Sequence, residues 1–261
     1  RMDAAYRALR QANECCKLRG VDLLEDHERR AVEWAENNYV NWYLTESNAC
    51  WANAAQTQWR DAGYVEGIAR QDLFYWETLP TYAGSAKAKV VLISDALRYE
   101  VAQDVAAALE RERGGEVRMG SVQAMFPSIT EMGMPALLPH QAMTLNMETG
   151  AVLLDDMPTG STVERQAVLQ KAEPTGRALT AAAYLDMSAA DRKELLKSSE
   201  IVYLYHNKID ATGEKLATES DVFDACAESV DELVSIAKRV CTDAPGARVT
   251  ITSDHGFLYT A

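Results

Sequence analysis

Two hydrophobic patterns divide the chain near residue 85. Up to about residue 78, apolar and small residues recur at helical spacing, in AAYRALRQANECCKL and again from Glu25 through Tyr43. Recurrence at i, i+3 and i+4 predicts helices, with Asp22 and Asp26 as candidate caps. From Lys89 the pattern becomes short β-rich runs. KVVLIS (89–94) and IVYLY (201–205) are continuously apolar, and RVTIT (248–252) alternates β-branched residues. Continuous runs of this length suit strands buried on both faces of a parallel sheet. ALRYEVAQDVAAALERER follows the first run as an amphipathic helix. EVRMGSVQAM reads as a further strand, and the stretch from Phe126 to Pro139 as a loop entering a helix capped by Ser128 or Thr130. AVLLDDMPTGSTVERQAVLQKA reads as a short strand, a polar turn and a helix from about Thr162. Residues 171–199 are expected to be helical, with breaks at Pro174 and Gly176, and a long helix is expected from about residue 220 through Val240. The alternation predicts an α/β fold, a doubly wound and mostly parallel sheet. Pro80 and the small-residue run 83–86 mark a boundary, giving a helical N-terminal segment (1–85) and an α/β core (86–261).

Composition narrows the classes. The net charge of −13 argues against a groove that binds nucleic acid by its own basicity. It leaves room for bound divalent cations, which reverse the local sign around a phosphate. Five cysteines at irregular spacing, with no CxxC pair, indicate neither a disulfide framework nor a thiolate zinc site. Free thiols fit a reducing cytoplasm, and no apolar run approaches a membrane span. A chain that starts on Arg and stops two residues after Tyr259 is expected to be a C-terminally truncated piece of a longer protein. The aromatics of the first 78 residues, Trp34, Tyr39, Trp42, Trp51, Phe74 and Trp76 among them, either pack helices or form a docking surface.

Candidate chemistry sits where the apolar runs end. They deliver Asp95, Asp210 and the adjacent pair Asp254-His255, with Gly256 next as a residue that lets the backbone turn away. In open α/β sheets the carboxyl edge is where ligands bind. Several carboxylates converging there would repel one another strongly, and a divalent cation or a pair of cations is the natural compensation. Oxygen ligands with imidazole suit zinc, manganese or magnesium. Paired metals serve phosphoryl chemistry, which needs a nucleophile. Thr130 and Ser128, at a helix start, are candidates for it and equally candidates for caps. Arg98 either contacts a substrate phosphate or pairs with Glu100 or Asp104, and Asn207 is a phosphate donor or a turn residue. Tyr99 and Tyr259 read as core, and His140 as a surface loop residue.

Four stretches taken together, VLISDALRYEVA, FPSITEMGMPALLPH, YLYHNKIDATGE and ITSDHGFLY, resemble the PglZ family of BREX phage-defence proteins, within the alkaline phosphatase superfamily. The resemblance runs from about Lys89 to the end. It implies a metal-dependent phosphohydrolase in which Asp95, Asp254 and His255 hold one metal, Asp210 begins a second site, and Thr130 is the nucleophile between them. It departs from the superfamily at the second site. Glu214 stands where a His is common, His206 lies four residues before Asp210, and the further His expected downstream lies beyond Ala261. One or two divalent ions are therefore expected, with other BREX proteins as partners and nucleic acid reached through them. Two activities compete with this one: a phosphatase-like scaffold that assembles defence proteins, and a chemistry in which Asp95 itself is phosphorylated.

Overall fold

The computed structural model describes residues 1–18, 25–83, 86, 88–112, 115–213 and 221–259. The candidate cap Asp22, the boundary residues Gly84 and Ser85, and the candidate ligand Glu214 lie outside them. The N-terminal region carries α1 (Met2–Leu18) and α2 (Glu25–Glu36). A π-helical stretch, Asn37–Leu44, then leads into α3 (Thr45–Ala62). A two-residue strand β1 (Ala69–Arg70), a tight helical passage and α4 (Leu79–Ala83) complete it. The core follows as β2 (Lys89–Ser94), α5 (Tyr99–Glu110), β3 (Val122–Gln123), α6 (Thr130–Ala136), β4 (Met143–Leu145), β5 (Val152–Leu154) and β6 (Met157–Pro158). Then come α7 (Thr162–Ala172), β7 (Arg177–Thr180), α8 (Ala181–Asp186), α9 (Ala189–Ser198), β8 (Ile201–His206), α10 (Lys208–Gly213), α11 (Val222–Asp243) and β9 (Arg248–Thr252).

Four parallel strands form the central sheet in the order β7-β8-β2-β9. Alternate side chains of β2 and β8 enter two separate cores. Val90, Leu92, Val202 and Leu204 pack with α5 and α11, while Val91, Ile93, Tyr203 and Tyr205 pack with α4, α6 and α7. Helices therefore cover both faces, which is why these strands read as unbroken apolar runs. The chain works inward from β7 to β8, then crosses past β2 to β9. This reversal places the ends of β8, β2 and β9 side by side.

Some local expectations change. EVRMGSVQAM yields only the two-residue β3, which pairs in parallel with β1 of the N-terminal region. Residues 171–199 are not helical throughout. Arg177–Thr180 forms the edge strand β7, and it is half-buried or exposed because no strand pairs with its outer side among the described residues. A three-stranded antiparallel sheet, β4-β5-β6, packs beside α6. Its β5–β6 turn is a two-residue hairpin at Asp155-Asp156, both with positive φ (47° and 66°), a conformation that Asp tolerates better than most residues. Ser161 and Glu164 close a capping box on α7, each side chain accepting from the other's backbone N–H.

The N-terminal helices share the core of the sheet. Tyr6 stacks on Tyr39 with ring centroids 4.1 Å apart, beside Phe223 and Tyr259. Phe74, Tyr75, Leu79 and Ala83 join the opposite core. Most of the tryptophans do not join either: Trp34, Trp42, Trp51 and Trp76 are exposed. Among the described residues, no helix is long and apolar enough to cross a membrane.

Candidate metal centre

The register of β2 and β9 builds the site. They pair from Lys89 opposite Arg248 to Ile93 opposite Thr252, so Asp95 and Asp254 each emerge two residues beyond the last pair. On the other side Ser94 pairs with His206, and the Asp95 N–H donates to the His206 carbonyl at 2.8 Å. The chain then turns sharply at Ala96, whose φ of 58° is unusual for a residue with a Cβ. That turn aims the Ala96 N–H at Asp254 Oδ1, 3.2 Å away. The unusual backbone is thus at Ala96 and not at Gly256, whose φ is not positive and whose Cβ position would meet only Arg98 at ordinary contact distance.

Thr130 opens α6, and Gly133 one turn later explains how close that helix comes. A Cβ on Gly133 would lie 2.2 Å from the Asp254 carbonyl oxygen, so only glycine lets the helix backbone rest on the end of β9. This approach sets Thr130 Oγ1 2.9 Å from His255 Nε2 and 3.4 Å from Asp95 Oδ1.

The electrostatics are unbalanced. Ligand atoms of Asp95, Asp210 and His255 all lie within 4.8 Å of one another. His255 Nε2 is 3.4 Å from Asp95 Oδ1 and 3.5 Å from Asp254 Oδ2. Asp254 is fully buried, and its Oδ2 accepts no hydrogen bond among the described residues. Burial pushes the Asp95 carboxyl up to about 8, reinforced by the charges of Asp254 and Asp210. His255 Nδ1 lies 3.0 Å from the Gly256 carbonyl. A carbonyl only accepts, so Nδ1 carries the hydrogen and Nε2 is the ring nitrogen turned toward Asp95, Asp254 and Thr130. Three carboxylates and one oriented imidazole nitrogen, with an orphaned buried oxygen among them, fit a divalent cation.

The description "BREX system PglZ alkaline phosphatase-like domain" matches residues 80–261. The chain belongs to the PglZ family. It is 32% identical to the Escherichia coli alkaline phosphatase-like protein BrxZ, over 99% of this chain and 30% of that protein. It is 31% identical to the Bacillus cereus alkaline phosphatase-like protein PglZ, over 99% of this chain and 29% of that protein. The chain thus spans about 30% of the length of these curated relatives.

Other residues singled out from the PglZ resemblance or from strand-end position fall elsewhere. His206 is buried at the end of β8 with both ring nitrogens engaged. Nδ1 lies 3.0 Å from Ser94 Oγ, and Nε2 lies 3.0 Å from Glu232 Oε2 on α11. Lys208 closes this set by pairing with Glu232 and Glu228 at 2.6 Å. The ring is therefore committed to the α11 side and is not among the converging ligand atoms. Arg98 reaches toward α1 and the residues after β9. Its guanidinium bonds Asp3 of α1 at 2.6 Å and the Phe257 carbonyl, and lies 4.0 Å from the centroid of the Tyr259 ring. The expected pairing with Glu100 is present as an ion pair at 3.7 Å, although Arg7 of α1 holds both Glu100 and Asp104 by hydrogen bonds. Asn207 is exposed in the turn between β8 and α10. Tyr259 is core, its hydroxyl donating to Glu100 at 2.8 Å, but Tyr99 is exposed. His140 is half-buried, with Nδ1 2.8 Å from the Leu138 carbonyl. Sequence reading missed Gln71 and Glu232 altogether. A lone Gln between Arg70 and Asp72, and one acid among many on α11, carry no pattern that distinguishes them.

Proposed function

We propose that this chain carries the catalytic centre of a metal-dependent phosphoric ester hydrolase in a BREX-type phage-defence system, with Thr130 as nucleophile. A phosphodiester, including one in nucleic acid, is favoured over a phosphomonoester because of that defence setting. The acidic charge leaves tight nucleic-acid binding to partner BREX proteins. The observation that carries the reading is the Thr130 hydroxyl 2.9 Å from His255 Nε2, one of the three ligand groups, with Asp95 and Asp210, whose atoms lie within 4.8 Å of one another.

Asp95, Asp254 and His255 would hold a divalent ion, with Asp210 at its edge or at a second ion. When bound, such an ion supplies Lewis-acid stabilisation of phosphoryl and alkoxide oxygens. The chain's own residues do the rest. Gly133 and Ala96 fix α6 and the β2 turn so that Thr130 Oγ1 faces the ligand cluster without rearrangement. As Thr130 Oγ1 bonds to phosphorus it gives up its proton, and the ester oxygen leaves with its electron pair and takes up a proton. Water then breaks the Thr130–phosphorus bond and restores the hydroxyl.

Hydrolysis of aryl phosphodiesters and phosphomonoesters by the intact protein, with manganese or zinc and after chelation, tests this. Metal-dependent turnover lost in Thr130→Ala, together with acid-stable phosphothreonine, is expected. Turnover unchanged in Thr130→Ala overturns the nucleophile, and a hydroxylamine-labile phosphate would move it to Asp95. The second reading, a weakly active scaffold, draws on the commitment of His206 to Ser94 and Glu232, which removes one candidate ligand from a second metal site. It expects metal binding without turnover.

A further inference from the structure

Gln71 lies in the N-terminal region, ahead of the stretch that matches the family, and its side chain is 1% exposed. Its amide reaches both halves of the candidate centre. Nε2 donates to the Asp254 carbonyl at 2.6 Å and to the Ser253 carbonyl at 3.1 Å. Oε1 accepts from the Met125 N–H at 2.8 Å. The first two contacts grip the backbone that presents Asp254 and His255. The third grips the start of the loop that carries Thr130, five residues on. Gly133 rests on the same Asp254 carbonyl from the other side of that loop. One buried side chain therefore spans two segments whose relative placement sets the distance from Thr130 Oγ1 to His255 Nε2.

From this geometry we propose that Gln71 is a positioning residue of the metal centre, coupling the nucleophile loop to the Asp254–His255 strand end. The role rests on the function proposed above only for its catalytic consequence. The mechanical coupling stands on the contacts alone. A side-chain amide suits it because it alone offers two donors and an acceptor on one rigid plane. Groups that orient ligands from behind commonly matter about 10- to 100-fold to metal affinity or activity.

Gln123 provides the control. Its amide makes the same kind of contacts between the N-terminal region and the core, accepting from the Val65 N–H and donating to the Val65 and Ile68 carbonyls. It makes no contact with the end of β9. The test compares Gln71→Met with Gln123→Met in the intact protein by three readouts. Hydrogen exchange of the metal-free protein is followed in residues 125–130 and 253–256. Manganese affinity is titrated with the metal alone. Turnover of an aryl phosphodiester is resolved into kcat and KM.

Gln71→Met is expected to speed exchange in both segments, weaken manganese about tenfold or more, and lower kcat with little change in KM. Gln123→Met is expected to leave residues 253–256 and manganese affinity unchanged at a comparable Tm. Exchange in 253–256 that is unaltered in Gln71→Met, or raised equally in Gln123→Met, overturns the coupling whether or not the protein is an enzyme. Wild-type protein without turnover, alongside the expected exchange pattern, would instead overturn the phosphohydrolase reading and leave the coupling standing. If Gln71→Met fails to fold, Gln71→Asn, whose amide is one methylene shorter and cannot hold Met125 and the 253–254 carbonyls at once, is expected to speed exchange in residues 125–130 or 253–256; wild-type protection of both overturns the coupling.

Discussion

The ends of β8 and β9 each deliver a histidine, yet the two rings do different work. At β9, His255 meets Asp95 and Asp254, and the buried Asp254 Oδ2 accepts no hydrogen bond among the described residues. At β8, His206 meets a hydroxyl on one side and Glu232 on the other, and Lys208 neutralises the acid. The first set of donors is left with capacity for an ion. The second is complete within the protein. What distinguishes a ligand from a structural histidine here is therefore the satisfaction of its ring nitrogens, which residue type and spacing do not report.

The contrast breaks most visibly by removing one member at a time. Thr130→Ala and Asp254→Ala are expected to lower metal-dependent turnover by at least about 10³-fold, since each removes a group acting on the reacting atoms. His206→Gln should stay within about tenfold of wild type in turnover and leave the manganese stoichiometry unaltered. A lost ion in His206→Gln, measured by calorimetry or elemental analysis, would erase the distinction between the two strand ends. Gly133→Ala comes next. Its methyl group cannot fit beside the Asp254 backbone, so α6 must retreat, and a displacement of about 1 Å at a nucleophile can lower turnover about 10²-fold. Wild-type kcat in that variant would show that α6 does not set the position of Thr130.

A stability measurement sharpens the same comparison. The Asp95 carboxyl is raised from 3.8 to about 8, first by burial and then by Asp254 and Asp210. A carboxyl whose folded value lies above its unfolded one binds more protons when folded. The metal-free protein should therefore lose stability as pH rises from about 4 to 8, at most roughly 1.4 kcal/mol per pH unit from this group. Saturating manganese should flatten that decline by favouring the carboxylate. Tm measured against pH with and without chelator decides it, and identical profiles would mean that no ion compensates these acids.

How much of this was legible in the chain differs by element. KVVLIS and IVYLY announced buried parallel strands because both faces are covered, so every position is apolar. Arg177–Thr180 did not, since an edge strand is half exposed and sits directly before α8 without a turn signal. Asp95, Asp210 and Asp254-His255 could be chosen because strand ends converge at one edge of such a sheet. The direction of Arg98 could not, because its partner Asp3 is distant in sequence, and the same holds for Gln71, whose three backbone partners are set by tertiary contacts alone. Gly133 lies within the FPSITEMGMPALLPH stretch, but its steric reason appears only with α6 against the end of β9.

The smallest effect belongs to the satisfied strand end. Burial lowers the His206 value below 6.5 against the pull of Glu232, so the folded ring resists protonation. The unfolded chain takes up that proton as pH falls through about 6.5, so this residue subtracts stability on the acid side and none above it. His206→Gln should be less stable than wild type at pH 8, because Ser94 and Glu232 lose a well-placed partner, by about 1–3 kcal/mol. The gap should narrow as pH falls below about 6.5, because the variant has no imidazole to protonate on unfolding. Denaturant titrations at pH 8 and pH 5.5 read this directly. A gap that widens on acidification would mean that the folded protein carries His206 as an imidazolium paired with Glu232, and the β8 end would then be an ion pair instead of a neutral hydrogen-bonded set.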